Sequence, residues 1–225
     1  MSGLNAISTL YFDVNETLLD IAPLKQFIMT KLSAPAEVAD AWFTSLLHHS
    51  LVDATSGHWH PFGEIAEAVL VMTAHKYGLT SGDAPGSISE TLAALPAHPD
   101  VADGLRVLKA TGRKLVALSN SSRTLVEQQL TGAGLRPFFD EVLSVETLAT
   151  YKPDLAVYQW ALRSLRVPAS QAMMVAAHGW DVGGAKLAGM HTAFVARPGQ
   201  CLYPLAPSPD LVVDNLRQLA APFEI

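Results

Sequence analysis

"STLYFDVNETLLD", residues 8–20, opens as an apolar strand and closes as a polar turn, with Asp13 at the join. A strand apolar on both faces belongs to a sheet covered on both sides. In such sheets the residues just past the strand's C-terminal end face the crevice where ligands bind. The same layout recurs in "KLVALSNSS" (114–122), "FFDEVLSVE" (138–146), "MMVAAH" (173–178), "TAFVAR" (192–197) and "DLVVD" (210–214). Between these runs, "VADGLRVLKATG", "TLVEQQLTGAGL", "AVYQWALRSLRV" and "DVGGAKLAGM" space their apolar residues helically, and several close on Gly. The alternation predicts an α/β fold with a Rossmann-like parallel-sheet core.

Residues 21–95 break the rhythm and read as helices only: "APLKQFIMTKLS", "AEVADAWFTSLLHHSLVDA", "PFGEIAEAVLVMTAHKYGL" and "SISETLAALP", punctuated by Pro, Gly and Ser. The expected organisation is a core of residues 1–20 and 96–225, interrupted after its first strand by a helical cap of residues 21–95.

Composition narrows the classes of function. With 225 residues, 49% of them hydrophobic, the chain can bury a sizeable core. Its formal net charge of -6 and lack of a Lys/Arg cluster argue against a nucleic-acid surface. No apolar run reaches membrane-spanning length and no basic leader stands at the start, so the expectation is a soluble cytoplasmic protein with no membrane partner. A homodimer is left open. The single cysteine, Cys201, excludes an internal disulfide and a cysteine metal cage, and in its Pro-rich stretch it reads as a lone thiol.

Gathering the polar residues at the strand ends yields Asp13, Asn15 and Thr17, then Ser119 and Asn120, then Lys152 in "TYKPD", then His178 and Asp181. Taken singly, each has a plain explanation: a helix cap, a turn residue or a solvated lysine. Four strand ends in register are better explained by a site.

The ordered set Asp-x-x-x-Thr-Leu, helical insertion, "LSNSS", "KPDLAVY" and "GWDVGGAK" resembles the haloacid dehalogenase superfamily, and within it the type II 2-haloacid dehalogenases. The resemblance spans essentially the whole chain. It implies that Asp13 is a nucleophile forming a covalent ester, that Thr17, Ser119 and Asn120 hold substrate or leaving group, and that Lys152 keeps Asp13 ionised. A cation within a few Å lowers a carboxyl pKa, which gives that role a physical basis. The resemblance further implies that Asp181 orients the lysine and helps activate water, and that Tyr158 belongs to the substrate pocket. The substrate implied is a small anionic acid, with no cofactor required.

Three positions depart from the family pattern. Phosphatases of the superfamily carry an acid two residues after the nucleophile, where this chain has Asn15; an amide cannot protonate an alkoxide leaving group, whereas halide needs no proton. The position of the cap arginine that draws off halide falls at Phe43, leaving Asn120, ring edges or a cation such as His48 or His49 to do that work. "AAHGWD" places Ala176 and Ala177 where hydroxyls are common and His178 where an amide is common; the histidine is a candidate for anion binding or water activation. Trp42, Phe43, Trp59 and Phe62 are candidates to roof the pocket, and His58 and His60 are too isolated to read as metal ligands. Two alternatives to the dehalogenase stay open. One is a Mg²⁺-dependent phosphatase with metal on Asp13, the Asn15 carbonyl and Asp181; the other is a silent binding protein.

Overall fold

A computed structural model of the chain describes residues 4–80 and 85–223. Its centre is a six-stranded parallel sheet in the order β3-β2-β1-β4-β5-β6. The strands are β1 (Thr9–Phe12), β2 (Lys114–Ser119), β3 (Glu141–Ser144), β4 (Ala172–Ala176), β5 (His191–Val195) and β6 (Leu211–Val213). All six apolar runs are strands, each shorter than its run, because the polar residues past the apolar ones leave the ladder. Ser122, for example, turns away to accept a hydrogen bond from Leu125 N as the N-cap of a helix, and Phe138 closes a short 3₁₀ turn before β3.

β1 lies at the centre with Phe12 paired to Ala117 on one side and Val175 on the other. Leu10, Tyr11 and Phe12 are fully buried, as a strand covered on both faces requires. That register brings the next residue, Asp13, beside the ends of β2 and β4, and its backbone N–H donates to Val175 O at 3.0 Å.

Helices α1 (Ala22–Leu32), α2 (Ala36–Ser56), α3 (Phe62–Lys76) and α4 (Ile88–Ala93) fill the stretch after β1. Their ends are written locally. Gly57 closes α2 at φ 72°, a left-handed turn that favours glycine, and Ser87 with Glu90 forms a reciprocal capping box on α4. α2 packs on α1 and α3, and α4 packs on α1, α3 and the core helix α6 (Arg123–Gly132). Trp42 of α2 is fully buried and donates its indole N–H to Ala66 O of α3. The two chain segments leading into and out of this helical block pair with each other: Leu19 bridges Ala97 antiparallel, Asp20 N donates to Pro96 O, and His98 N donates to Leu18 O.

The remaining core helices are α5 (Val101–Ala110), α7 (Leu155–Leu165), α8 (Gly179–Leu187) and a short α9 (Leu216–Ala220) against α5, too brief to show a period in the sequence. None of the described helices is long and apolar enough to cross a membrane.

Candidate active site

The C-terminal ends of β1, β2 and β4 meet at a buried charge cluster. Asp13 is 5% exposed, and Lys152 and Asp181 are buried almost completely. Lys152 Nζ donates to Asp13 Oδ1 at 2.8 Å, to Asp181 Oδ2 at 2.6 Å and to Leu118 O at 3.1 Å, so all three ammonium hydrogens are used. The Lys152 backbone N–H is held by Asn120 Oδ1 at 2.9 Å, which aims the side chain at the strand ends. Asp181, in the first turn of α8, accepts from Tyr158 OH at 2.6 Å on its other oxygen.

The second oxygen of Asp13 has its own partners. Thr17 Oγ1 lies 2.8 Å from Oδ2 and itself accepts from Ala177 N at 2.9 Å, so the hydroxyl hydrogen is directed at Asp13. His178 Nδ1 lies 3.0 Å from the same Oδ2, and its Nε2 lies 2.7 Å from Glu16 Oε2. Both ring nitrogens thus face carboxylates, which only accept, and the ring is an imidazolium. Trp180 stacks on it at 4.9 Å and 22°.

These contacts set the charge states. Burial alone would raise the Asp13 carboxyl, but Lys152 and His178 outweigh it and hold the group well below the ordinary carboxylate range. Burial opposes charge on Lys152 and His178 too, yet their carboxylate partners win, raising the lysine and pushing the histidine up to about 9. For Asp181 desolvation prevails and its pKa is raised, with the Asp13 charge adding to the effect and Lys152 opposing it.

A small cavity of about 30 Å³ lies over Asp13. Its floor is Asp13, Asn15, Ser119, Asn120, His178 and Trp180. Its roof comes from the helical block, chiefly Leu24, Trp42, Phe43, Leu46, Phe62 and Leu92. A larger cleft of about 560 Å³ along the seam shares Phe62 and Asn120 with this cavity, so the two adjoin.

The residues singled out in the sequence fall into two groups. Asp13, Asn15, Ser119, Asn120, His178, Phe43 and Phe62 line the cavity. Thr17, Lys152, Tyr158 and Asp181 stand behind it and connect to Asp13: Thr17 and Lys152 bond the carboxylate, Asp181 bonds Lys152, and Tyr158 bonds Asp181 without being part of the cavity wall. Lys152 is not a solvated lysine. His48 and His49 line shallow hollows elsewhere and bring no cation to the cavity. Trp59 lines the adjoining cleft, and His60 pairs with Asp53. Asn15 is tied down at both ends, donating to Ser121 Oγ at 3.2 Å and accepting from Gln129 Nε2 at 2.9 Å. Ser119 Oγ accepts from Ser121 N, whereas Asn120, its carbonyl taken by Lys152 N, keeps its amide N–H groups for a ligand.

A divalent cation does not fit this donor set. Both Asp13 oxygens and both Asp181 oxygens carry hydrogen-bond donors, and the ammonium of Lys152 stands between the two carboxylates. Among the described residues, no three His, Cys, Asp or Glu side chains converge as metal ligands.

Sequence reasoning missed Glu16, Gln129, Gln200 and Trp180. Glu16 sits between Asn15 and Thr17 with φ 63°, and no residue pattern announces a left-handed glutamate. Its position within four residues of the strand-end aspartate was the available signal.

Parallel sheet, helical insertion and an aspartate–lysine–aspartate centre define a hydrolase class. The family model described as haloacid dehalogenase-like hydrolase matches residues 7–189, and the chain belongs to that family. It is 30% identical over 189 residues to (S)-2-haloacid dehalogenase of Pseudomonas sp. (strain YL), covering 84% of this chain and 82% of that one. It is 28% identical over 211 residues to (S)-2-haloacid dehalogenase of Pseudomonas fluorescens, covering 93% of each. A solved dehalogenase with an intermediate complex superposes with a TM-score of 0.86 at 27% identity, covering 96% of each chain.

Proposed function

We propose that the protein hydrolyses the carbon–halogen bond of a small 2-haloacid through an aspartyl ester on Asp13. The observation that carries this reading is the nucleophile itself: a carboxylate kept ionised by Lys152 and His178, facing a largely apolar cavity with no uncommitted acid for the leaving group, since the His178 imidazolium spends both N–H groups on Asp13 and Glu16. Asn15, the position where such an acid would stand, spends its amide on Ser121 and Gln129. Halide is a leaving group that departs as a stable anion, so the chemistry matches the missing acid. The relatives' name, (S)-2-haloacid dehalogenase, supports the same substrate class.

In the first step Asp13 attacks the halogen-bearing carbon from the cavity side, and the halide leaves with the bonding pair. Asn120 N–H groups and the ring edges of Phe43 and Phe62 are what the cavity offers that halide in place of an arginine. In the second step water cleaves the ester and regenerates Asp13. Neither step requires a metal, and the Lys152 ammonium standing between Asp13 and Asp181 disfavours the phosphatase alternative. A silent binding protein would have no use for a lysine buried against its carboxylate. The reading also includes action in the cytoplasm.

A single turnover in ¹⁸O-water, with enzyme in excess over 2-chloropropionate, is expected to place the label in Asp13, read by peptide mass spectrometry. Label confined to the 2-hydroxy acid product would show direct attack of water on the substrate and refute the ester.

A further inference from the structure

The two oxygens of Asp13 are not equivalent. Oδ1 accepts one hydrogen bond, from Lys152, whereas Oδ2 accepts two, from Thr17 and His178. A carboxylate oxygen has two in-plane lone pairs, so Oδ2 is saturated and Oδ1 keeps one pair free to attack. The donors on Oδ2 are also locked in polarity. Thr17 is forced to donate by Ala177 N, and His178, with Asp13 and Glu16 on its two ring nitrogens, is held doubly protonated so that Nδ1–H donates. Glu16 is itself fixed by Gln200 Nε2 at 3.1 Å on its remaining oxygen.

We propose that Asp13 attacks through Oδ1, and that Thr17 and His178 form an oxyanion hole around Oδ2 for hydrolysis of the ester, with Glu16 as the positioning residue behind the imidazole. This rests on the ester mechanism above. Once Oδ1 is alkylated, Oδ2 is the ester's carbonyl oxygen and meets donors at 2.8 and 3.0 Å, the range in which an oxyanion is stabilised. Water adds to Cγ and the carbonyl pair moves onto Oδ2. When the pair returns, the Cγ–Oδ1 bond breaks and Oδ1 leaves with the product. Lys152, already bonded to Oδ1, protonates it to the hydroxyl of the 2-hydroxy acid. The attacking water returns one proton to the Lys152–Asp181 pair, and its other proton leaves from the regenerated Asp13 as the acid equivalent of the hydrogen halide.

The charged groups around the ring are Asp13 and Glu16 on its two nitrogens, with Lys152 5.9 Å from the Trp180 ring that stacks on it and Asp181 behind the lysine. Removing the Glu16 charge therefore weakens the hold on the imidazolium proton while leaving the nucleophile's lysine in place.

Rapid-quench halide release and intact-protein mass spectrometry on the full chain test this. With His178→Leu, which offers no donor to Oδ2, alkylation persists but hydrolysis slows by about a hundred- to a thousandfold, the usual cost of losing one such donor. Halide then appears as a stoichiometric burst, and the Asp13 adduct accumulates. Glu16→Gln is expected to slow hydrolysis less and to move the alkaline limb of that step toward neutral pH, with Glu16→Asp restoring part of it; a purely structural glutamate would not move the limb. Adduct-free turnover at the wild-type rate in His178→Leu, or a folded variant with no burst, overturns the oxyanion role. If His178→Leu does not fold, an unmoved limb in Glu16→Gln overturns it. Wild-type protein that releases no halide from any 2-haloacid refutes the dehalogenase reading and the oxyanion hole with it.

Discussion

At the scale of single residues, Lys152 and His178 are both buried cations held charged by carboxylate partners. Lys152 is enclosed between Asp13 and Asp181, so Lys152→Met removes the cation and leaves two carboxylates facing each other out of water. Breaking a buried pair in this way costs about 3–5 kcal/mol, and the variant is expected to lose turnover and that much stability in urea titrations at pH 8. The deficit should shrink as pH falls, because a proton on Asp181, whose carboxyl burial already pushes up, relieves the repulsion. His178 has a folded pKa of about 9 against an ordinary 6.5. Its contribution to stability is complete below the unfolded value and is lost as pH rises through the folded one. The melting temperature is therefore expected to fall between pH 6.5 and 9, and the fall should be smaller in His178→Asn; an identical slope in both proteins would assign it elsewhere. The strand-end polar residues were readable as a set, because four strand ends in register are better explained by a site than by four separate caps and turns. What they bond was not, since Glu16 reaches His178 across 162 residues of chain.

At the scale of elements, α8 owes its place to glycine. A Cβ on Gly184 would stand 2.6 Å from the Pro153 side chain and 2.9 Å from Tyr158 OH. This close approach lets α7 bring Tyr158 onto Asp181, so Gly184→Ala forces the two helices apart. A loss of about 1–3 kcal/mol is expected from overpacking, together with slower turnover as Asp181 loses its phenol; Gly183→Ala, with a 3.1 Å approach to Ala206 Cβ alone, should be milder in activity. Thermal denaturation and steady-state rates on the two variants check the contrast. The helices and strands were legible from period and punctuation, apart from the short α9. Their contacts were not, because "GWDVGGAK" does not say which glycine touches which neighbour.

At the scale of the whole molecule, the sheet supplies charge and the helical block supplies apolar cover. The cavity over Asp13, at about 30 Å³, is far smaller than the adjoining cleft of about 560 Å³. The adjoining seam carries Glu64, Glu67 and Glu146, which penalise an anion on its way in and favour release of an anionic product. The roof's attachment is narrow. Its entering and leaving segments are bonded to one another at Leu19 and Ala97, so the chain departs from the core and returns to it at a single point. Residues 21–95 can therefore be treated as a graft: a two-residue Asn-Gly turn joining Asp20 to Pro96 closes the same antiparallel pair that the intact chain forms. The shortened chain is expected to unfold cooperatively in circular dichroism, and an aggregated or unfolded product would show that α4 on α6 is indispensable. A foreign helical block with equally close ends could be set on the same two residues, changing what reaches Asp13 without altering the sheet that holds it.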